Sequence, residues 1–327
     1  MVQLDRRSLL KGVAALGATA AFGTAGEAVA QAATALPPGV TNGKYPNFEK
    51  LIAHAAQYAH VIVFADDGHD EADLSAPLRD LGVTRALKDA KILDSYLEFA
   101  NQDFGPITDR LSGGQIGRQQ FVGFLLEERL KLLRKMFQDK TLTLRDDRAA
   151  VRKIEGFADI TIAGRENGVR THAADPMGHE AATRLAFNIA TAADPKSFAD
   201  LFQSRLSEDR KIAEFIKGTM RQKGAVFYGA AHSMLKSYSN FFNSPKYNID
   251  DALRDMGFKT VVIHISNDGG KGFSDFYKIV AKDPQHWDKI EGPESADFMF
   301  NESTGQITNV SRRLPNVPGV SMQSLQP

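Results

Sequence analysis

The chain has no cysteine, a single tryptophan and no net charge, and these absences exclude several classes of protein. Its 327 residues include 40 Lys+Arg and 40 Asp+Glu, so the formal net charge is zero. Without an excess of one sign, no global field attracts nucleic acid, and we expect no nucleic-acid partner. The lack of cysteine excludes a disulfide framework and a lipid anchor on a cysteine. Beyond the N-terminal segment, no apolar run approaches the ~18 residues of a membrane span, so we expect none.

The N-terminal segment has the pattern of a twin-arginine export signal. Residues 5–11 read DRRSLLK, with paired arginines, two leucines and a lysine, and a weakly apolar Ala/Gly segment follows. A small-x-small cleavage site is present at residues 28–30, with residues 30–32 as an alternative. This pattern predicts that residues 1–32 are a signal peptide and that the chain is exported in a folded state to the periplasm or beyond the cell. The oligomeric state stays open.

Beyond the signal, short β-branched and aromatic runs alternate with segments of helical periodicity. Such runs lie at residues 60–65, 95–100, 169–175, 225–228 and 260–265. This alternation is typical of βαβ units. We therefore predict an α/β fold: a mostly parallel central sheet flanked by helices, with a helical insertion at about 107–157 capping the carboxyl edge. The predicted organisation is an N-terminal arm and helix (33–57), a single α/β domain (58–312) and a loose tail (313–327).

Two of the predicted strands lead directly to histidines. The run at 225–228 stops at a Gly-Ala-Ala-His sequence that ends in His232, and the run at 60–65 leads into an acidic turn that contains His69. Open α/β sheets bind ligands at the carboxyl ends of their strands. The sequence therefore predicts a site for a small-molecule ligand at this edge, to which Glu98 and Asp175 are added from two other strands.

The residue types at this edge favour two kinds of chemistry. His69, His232 and Glu98 form a set suited to a divalent metal ion with an open coordination position. Without a metal, the same groups suit acid–base hydrolysis, in which Glu98 orients a histidine that activates water. Asp66 and Asp67 either cap a helix or take part in metal or proton handling. The simpler alternative is that each histidine satisfies a buried hydrogen bond; His172 and His179 are secondary candidates for which that structural role is favoured.

Further motifs point to a known superfamily by their order and spacing. They comprise His69-Asp70 after a strand and an acidic residue, then residues 97–113, 163–176 and 209–232, and finally Asp297-Phe298. Together they resemble the ChaN-like haem-uptake lipoproteins, which belong with the TraB, Tiki and erythromycin-esterase-like proteins. The resemblance spans residues 58–300. The chain departs from the family's Gly-Glu-x-His-Asp motif, because Asp66-Asp67 stand in place of Gly-Glu, or Ala65-Asp66 in an alternative register.

The resemblance implies two functions and leaves a third open. The haem-uptake branch implies a periplasmic haem- or iron-binding protein, for which Tyr228, Tyr238 and Asp175 are candidate cofactor-binding residues, since phenolate suits ferric haem. The esterase-like branch implies a metal-dependent or His/Glu acid–base hydrolase of ester or peptide-like bonds. Its catalytic candidates are His69, Glu98, His232, Asp66 and Asp67. The cofactor is accordingly haem or a divalent metal ion. A partner-binding member of the fold without turnover is the third alternative.

Overall fold

The architecture is visible in a computed structural model that describes residues 36–66, 76–143, 148–190, 208–229, 248–266 and 296–323. The strands in these ranges are β1 (Val61–Asp66), β2 (Ile92–Asn101), β3 (Arg170–Asp175), β4 (Lys223–Gly229), β5 (Thr260–Ser266), β6 (Phe298–Asn301), β7 (Ile307–Asn309) and β8 (Met322–Gln323). The α-helices are α1 (Pro46–Ala55), α2 (Leu81–Asp89), α3 (Gly105–Ser112), α4 (Arg118–Phe137), α5 (Arg148–Glu166), α6 (His179–Ala190), α7 (Asp209–Thr219) and α8 (Ile249–Asp255). None of these helices is long and apolar enough to cross a membrane.

The strands form one sheet in the order β3-β2-β4-β1-β5-β6-β7-β8. Strands β1 to β6 all run in the same direction, and β7 pairs antiparallel with β6. The predicted α/β fold with a mostly parallel sheet is confirmed. Because β1 to β6 share one direction, their carboxyl ends meet along a single edge.

The two faces of the sheet have separate cores. On one face Phe64 of β1 stacks on Phe227 of β4, with ring centroids 4.8 Å apart, and α1, α2, α4 and α5 contribute apolar side chains. On the other face Val63 and Tyr228 pack with residues of α7 and α8. The central strands are therefore buried on both sides, as expected of parallel strands covered by helices, and this explains their nearly continuous apolar sequences.

Among the described residues, three α-helices lie between β2 and β3 in the sequence. Helix α3 packs against β3, and α5 packs against both β2 and β3 as the crossover helix of this unit. Helix α4 packs on α5, and its C-terminal half reaches α6, where the Lys135 ammonium lies 2.7 Å from a Glu180 carboxylate oxygen. Since α6 begins after the carboxyl end of β3, α4 extends from the sheet face toward the carboxyl edge.

The helix after β1 begins later than its apolar pattern suggests. A helix closed by Gly82 is expected over residues 74–81, but the structure has a 3-10 turn at Ala76–Arg79 and then α2, with Gly82 in its first turn. Asp80 determines this start because its carboxylate caps the helix, accepting a hydrogen bond from the Gly82 N–H at 2.8 Å. The same carboxylate accepts hydrogen bonds from the hydroxyl of Thr41 and the backbone N–H of Lys44, which fastens the N-terminal arm.

Candidate active site at the carboxyl edge

The described residues place three of the predicted site residues on the strands that reach the carboxyl edge. Asp66 is the last residue of β1 and is 6 % exposed, and Asp175 is the last residue of β3 and is 5 % exposed. Glu98 lies three residues before the end of β2 and is partly buried. The predicted residues Asp67, His69, His232 and Tyr238 lie outside the described residues.

Glu98 joins the ends of two strands. One of its carboxylate oxygens accepts a hydrogen bond from the backbone N–H of Gly229, at 2.8 Å. Gly229 ends β4 and stands beside Asp66 in the β1–β4 register. Glu98 is therefore held at the carboxyl end of β4. His232 follows Gly229 by three residues in the sequence.

Tyr228 lies in the core of the described residues. Its side chain is fully buried and belongs to the apolar cluster that includes Val63 and Ala65. The pleat of β4 is the reason, since successive side chains point to opposite faces and Tyr228 follows Val226 onto the α7–α8 face. The haem-ligand role of Tyr228 stays a prediction from the sequence.

Glu302 is a site residue that the sequence analysis missed. It follows the last residue of β6, and its backbone N–H donates to the Ser266 carbonyl at the end of β5, at 3.0 Å. Burial, and next the negative charge of nearby Asp66, raise the pKa of Glu302 to about 7. Smaller effects of Arg79, the Ala76 backbone and Lys44 lower this pKa. The only sequence signal was an acidic residue directly after the short apolar run Phe298–Asn301. The edge thus has a carboxyl group that changes charge near neutral pH.

A second group of polar side chains lies at the ends of β2 and β3. The amide nitrogen of Asn101 donates hydrogen bonds to an Asp175 carboxylate oxygen at 3.0 Å and to the Met177 carbonyl at 2.8 Å. The amide oxygen of Asn101 lies 3.3 Å from Nδ1 of His179. Burial, and next the positive charge of Arg129, lower the pKa of His179 to about 4, so its imidazole is neutral at pH 7.

His172, the other secondary candidate, has a structural role near the opposite edge. Its Nε2 lies 2.9 Å from a carboxylate oxygen of Asp94, and its ring stacks on Tyr96 with centroids 4.7 Å apart. Arg221 also binds Asp94 through its backbone N–H, at 3.0 Å, and through its guanidinium. Burial by itself would raise the pKa of Asp94, but these hydrogen bonds outweigh it and lower the pKa to about 2. This network ties β2 and β3 to the start of β4.

The metal set proposed from the sequence has only Glu98 within the described ranges. Among the residues that the structure describes, no group of three or more His, Asp or Glu side chains has the arrangement to hold a metal ion. A metal centre built on His69, His232 and Glu98 therefore stays a prediction from the sequence.

Comparisons with known proteins add little to this geometry. No family model matches the chain, and no curated protein matches it either. Among solved structures, the chain is similar to the type III effector HopBA1, with 15 % identity and a TM-score of 0.35. The match covers 68 % of this chain and 84 % of that one. At this level of similarity, the comparison supports no conclusion about function.

Proposed function

We propose that the chain is an exported acid–base hydrolase of ester or peptide-like bonds, with its active site at the carboxyl edge of the sheet. The observation that supports this best is the carboxyl group of Glu302, which is beside the end of β5 and has a raised pKa near the negative charge of Asp66. Burial, and next the negative charge of Asp66, disfavour the ionised form of Glu302, so this carboxyl group keeps its proton until near neutral pH. A carboxyl group of this kind is suited to donate a proton to the leaving group of a hydrolysed bond.

Glu302 is the proposed proton donor. Its pKa of about 7 leaves it close to half protonated at neutral pH, the range in which a general acid is most effective. Asp66 would tune this acid through its charge. Glu98 would orient the histidine that activates water, which the sequence assigns to His69 or His232. A divalent metal on those histidines and Glu98 would instead polarise the bond or activate the water.

Haem binding fits the described residues less well. The carboxylates of Asp66, Glu98 and Asp175 are gathered near the edge, where they would repel the propionates of a haem, and Tyr228 is buried in the core. The acidic edge favours a neutral substrate over an anionic cofactor. We therefore keep haem binding as an outcome of the test and not as a second proposal.

The test measures hydrolysis of p-nitrophenyl acetate and p-nitroacetanilide as a function of pH. We expect the wild-type rate to fall as the pH rises through about 7, because Glu302 then loses the proton it donates. Glu302→Gln should lower the rate on p-nitroacetanilide by about 10²–10⁴-fold, the usual contribution of general acid–base catalysis. The rate on p-nitrophenyl acetate should change much less, because p-nitrophenolate leaves without needing a proton. Asp66→Asn removes the neighbouring negative charge, lowers the pKa of Glu302 and should move this decline to lower pH.

The matched control is Glu166→Gln in the exposed last turn of α5, next to Arg165 and near the opposite edge of the sheet. It should leave the rate unchanged. A Glu302→Gln variant that hydrolyses p-nitroacetanilide as fast as the wild type would contradict the proposal. An absorption spectrum and elemental analysis, on wild type and on a His69→Ala/His232→Ala double variant, complete the test. Metal that is lost in the double variant would indicate the metal-dependent route, whereas a Soret band without hydrolysis would indicate haem binding.

A further inference from the structure

A cavity of about 370 Å³ opens at the amino end of β3, on the opposite edge of the sheet from the proposed active site. It lies between the last turns of α3 and α5, and its walls include Ser112 and Arg165 from these helices and Arg170 from the first position of β3. This volume is within the range of small-molecule sites. The described residues that line the cavity include none of the site residues predicted from the sequence, so the proposed hydrolysis does not account for it.

Two arginines from different elements bring positive charge to this cavity. Arg165 donates from Nε and Nη2 to one carboxylate oxygen of Glu166, at 3.2 and 2.8 Å, and Arg170 donates from Nη2 to Asp109, at 2.8 Å. A guanidinium has five N–H groups, so each arginine keeps donors that these contacts do not use. Both ion pairs are open to solvent, and such pairs contribute little to stability, so a ligand can share or replace them.

Ser112 adds a neutral donor to the two arginines. Its Oγ accepts a hydrogen bond from the Thr171 N–H at 3.3 Å, which leaves the hydroxyl proton to be donated elsewhere. Of the charged residues that line the cavity, Arg165 and Arg170 are cationic and Asp109 is anionic, which leaves a formal charge of +1. The cavity therefore offers more donors than acceptors, and its charge favours an anion.

The ends of α3 and α5 do not cancel this preference. The carboxyl end of a helix carries a partial negative charge on its last carbonyl groups, which by itself disfavours an anion. Here the turns after both helices supply donors to these groups. The Asp109 carbonyl accepts a hydrogen bond from the Gly113 N–H at 2.8 Å, and the Gly164 carbonyl accepts one from the Val169 N–H at 2.9 Å. These carbonyl groups are therefore already paired within the fold.

We propose that this cavity binds a small molecule through a carboxylate or phosphate group, held by Arg165 and Arg170 with Ser112 as a third donor. Guanidinium N–H groups match the oxygen atoms of both oxyanions, and hydrogen bonds between charged partners are stronger than those between neutral ones. A cation would meet two guanidinium groups and one carboxylate, and that carboxylate already pairs with Arg170. The site is separate from the carboxyl edge, so the inference does not depend on the proposed hydrolysis.

The test titrates inorganic phosphate and, separately, acetate into the ¹⁵N-labelled full chain, with sodium chloride keeping the ionic strength constant. Backbone ¹H–¹⁵N correlation spectra should show saturable shifts of the Gly113, Gly168 and Val169 signals with at least one of the two anions. Arg165→Gln and Arg170→Gln should each weaken this binding by about tenfold, because each removes hydrogen bonds between charged partners. A response to phosphate alone would identify a phosphate site, and a response to acetate alone would identify a carboxylate site.

Arg184→Gln is the matched control for the two arginine variants. Arg184 binds Glu180 through Nε and Nη2 in the same way that Arg165 binds Glu166, but it does not line the cavity. Its replacement should leave the affinity unchanged, and Ser112→Ala should weaken binding by a smaller factor than the arginine variants do. Spectra recorded without anion check that each variant is folded.

Three results would overturn the inference. The first is the lack of a saturable shift with either anion. The second is a response that survives both Arg165→Gln and Arg170→Gln in folded protein. The third is an equal loss of affinity in Arg184→Gln, which would mean that the anions respond to the overall charge of the protein and not to this cavity.

Discussion

Replacing Glu302 by glutamine should make the protein more stable at high pH. The folded state disfavours the negative charge of Glu302, and glutamine has no charge. The pKa of this carboxyl is about 7 in the folded protein, against an ordinary value of 4.5. The folded state thus binds the proton more tightly than the unfolded chain, so stability is fully present below pH 4.5 and declines as the pH rises to about 7. Glutamine keeps the shape and stays neutral, which removes that decline.

The magnitude follows from the size of the shift. A pKa raised from 4.5 to about 7 corresponds to about 3 kcal/mol at ~1.36 kcal/mol per unit. Because the carboxyl is partly exposed, screening by solvent reduces the expected gain to about 2 kcal/mol. We therefore expect Glu302→Gln to exceed the free energy of unfolding of the wild type by only about 0.5 kcal/mol at pH 5 and by about 2 kcal/mol at pH 8. In an Asp66→Asn background the gain should be smaller, because part of the repulsion is already gone.

The measurement is urea unfolding followed by far-ultraviolet circular dichroism, at pH 5 and pH 8, for the wild type, both single variants and the double variant. Glu166→Gln is the control again, since its exposed ion pair with Arg165 should contribute at most about 1 kcal/mol, with little change between the two pH values. The reasoning is refuted if the difference between Glu302→Gln and the wild type is the same at both pH values. Such a result would mean that Glu302 titrates normally.

Two further predictions concern buried carboxylates away from the proposed chemistry. Asp94 has a pKa of about 2, so its ionised form contributes about 2 kcal/mol to the free energy of unfolding above pH 4, and this contribution is lost as the pH falls toward 2. Urea unfolding of Asp94→Asn at pH 6 should show this loss. A stability equal to that of the wild type would contradict the prediction. Asp80→Ala removes the cap of α2 and the acceptor of the Thr41 and Lys44 hydrogen bonds, at a cost of about 2–4 kcal/mol. Amide hydrogen exchange at Lys44 should accelerate in this variant, and unchanged exchange would show that the arm is held by other contacts.

Much of the fold could be predicted from local patterns, and the errors occurred where a single polar residue outweighs a pattern. The apolar runs that became β1, β4 and β5 are buried on both faces, so their sequences are nearly continuous and easy to recognise. The apolar pattern predicts that a helix ends at Gly82, but Gly82 lies in the first turn of α2. Asp80, two residues earlier, has the carboxylate that caps the first turn, and its hydrogen bond to the Gly82 N–H identifies it as the true boundary.

The sequence by itself predicted a mostly parallel sheet, because strands alternate with helical segments, and it predicted that Asp66, Glu98 and Asp175 lie at or near the ends of strands that reach its carboxyl edge. Only the tertiary structure decided which groups meet there. Asp66 and Glu302 come close because β1 and β6 lie on either side of β5, and no local pattern encodes that order. The amide of Asn101 and the ring of His179 meet because β2 and β3 are neighbours. The position of Tyr228 was likewise decided by the tertiary structure, since the pleat of β4 directs its side chain into the core one residue before the end of the strand.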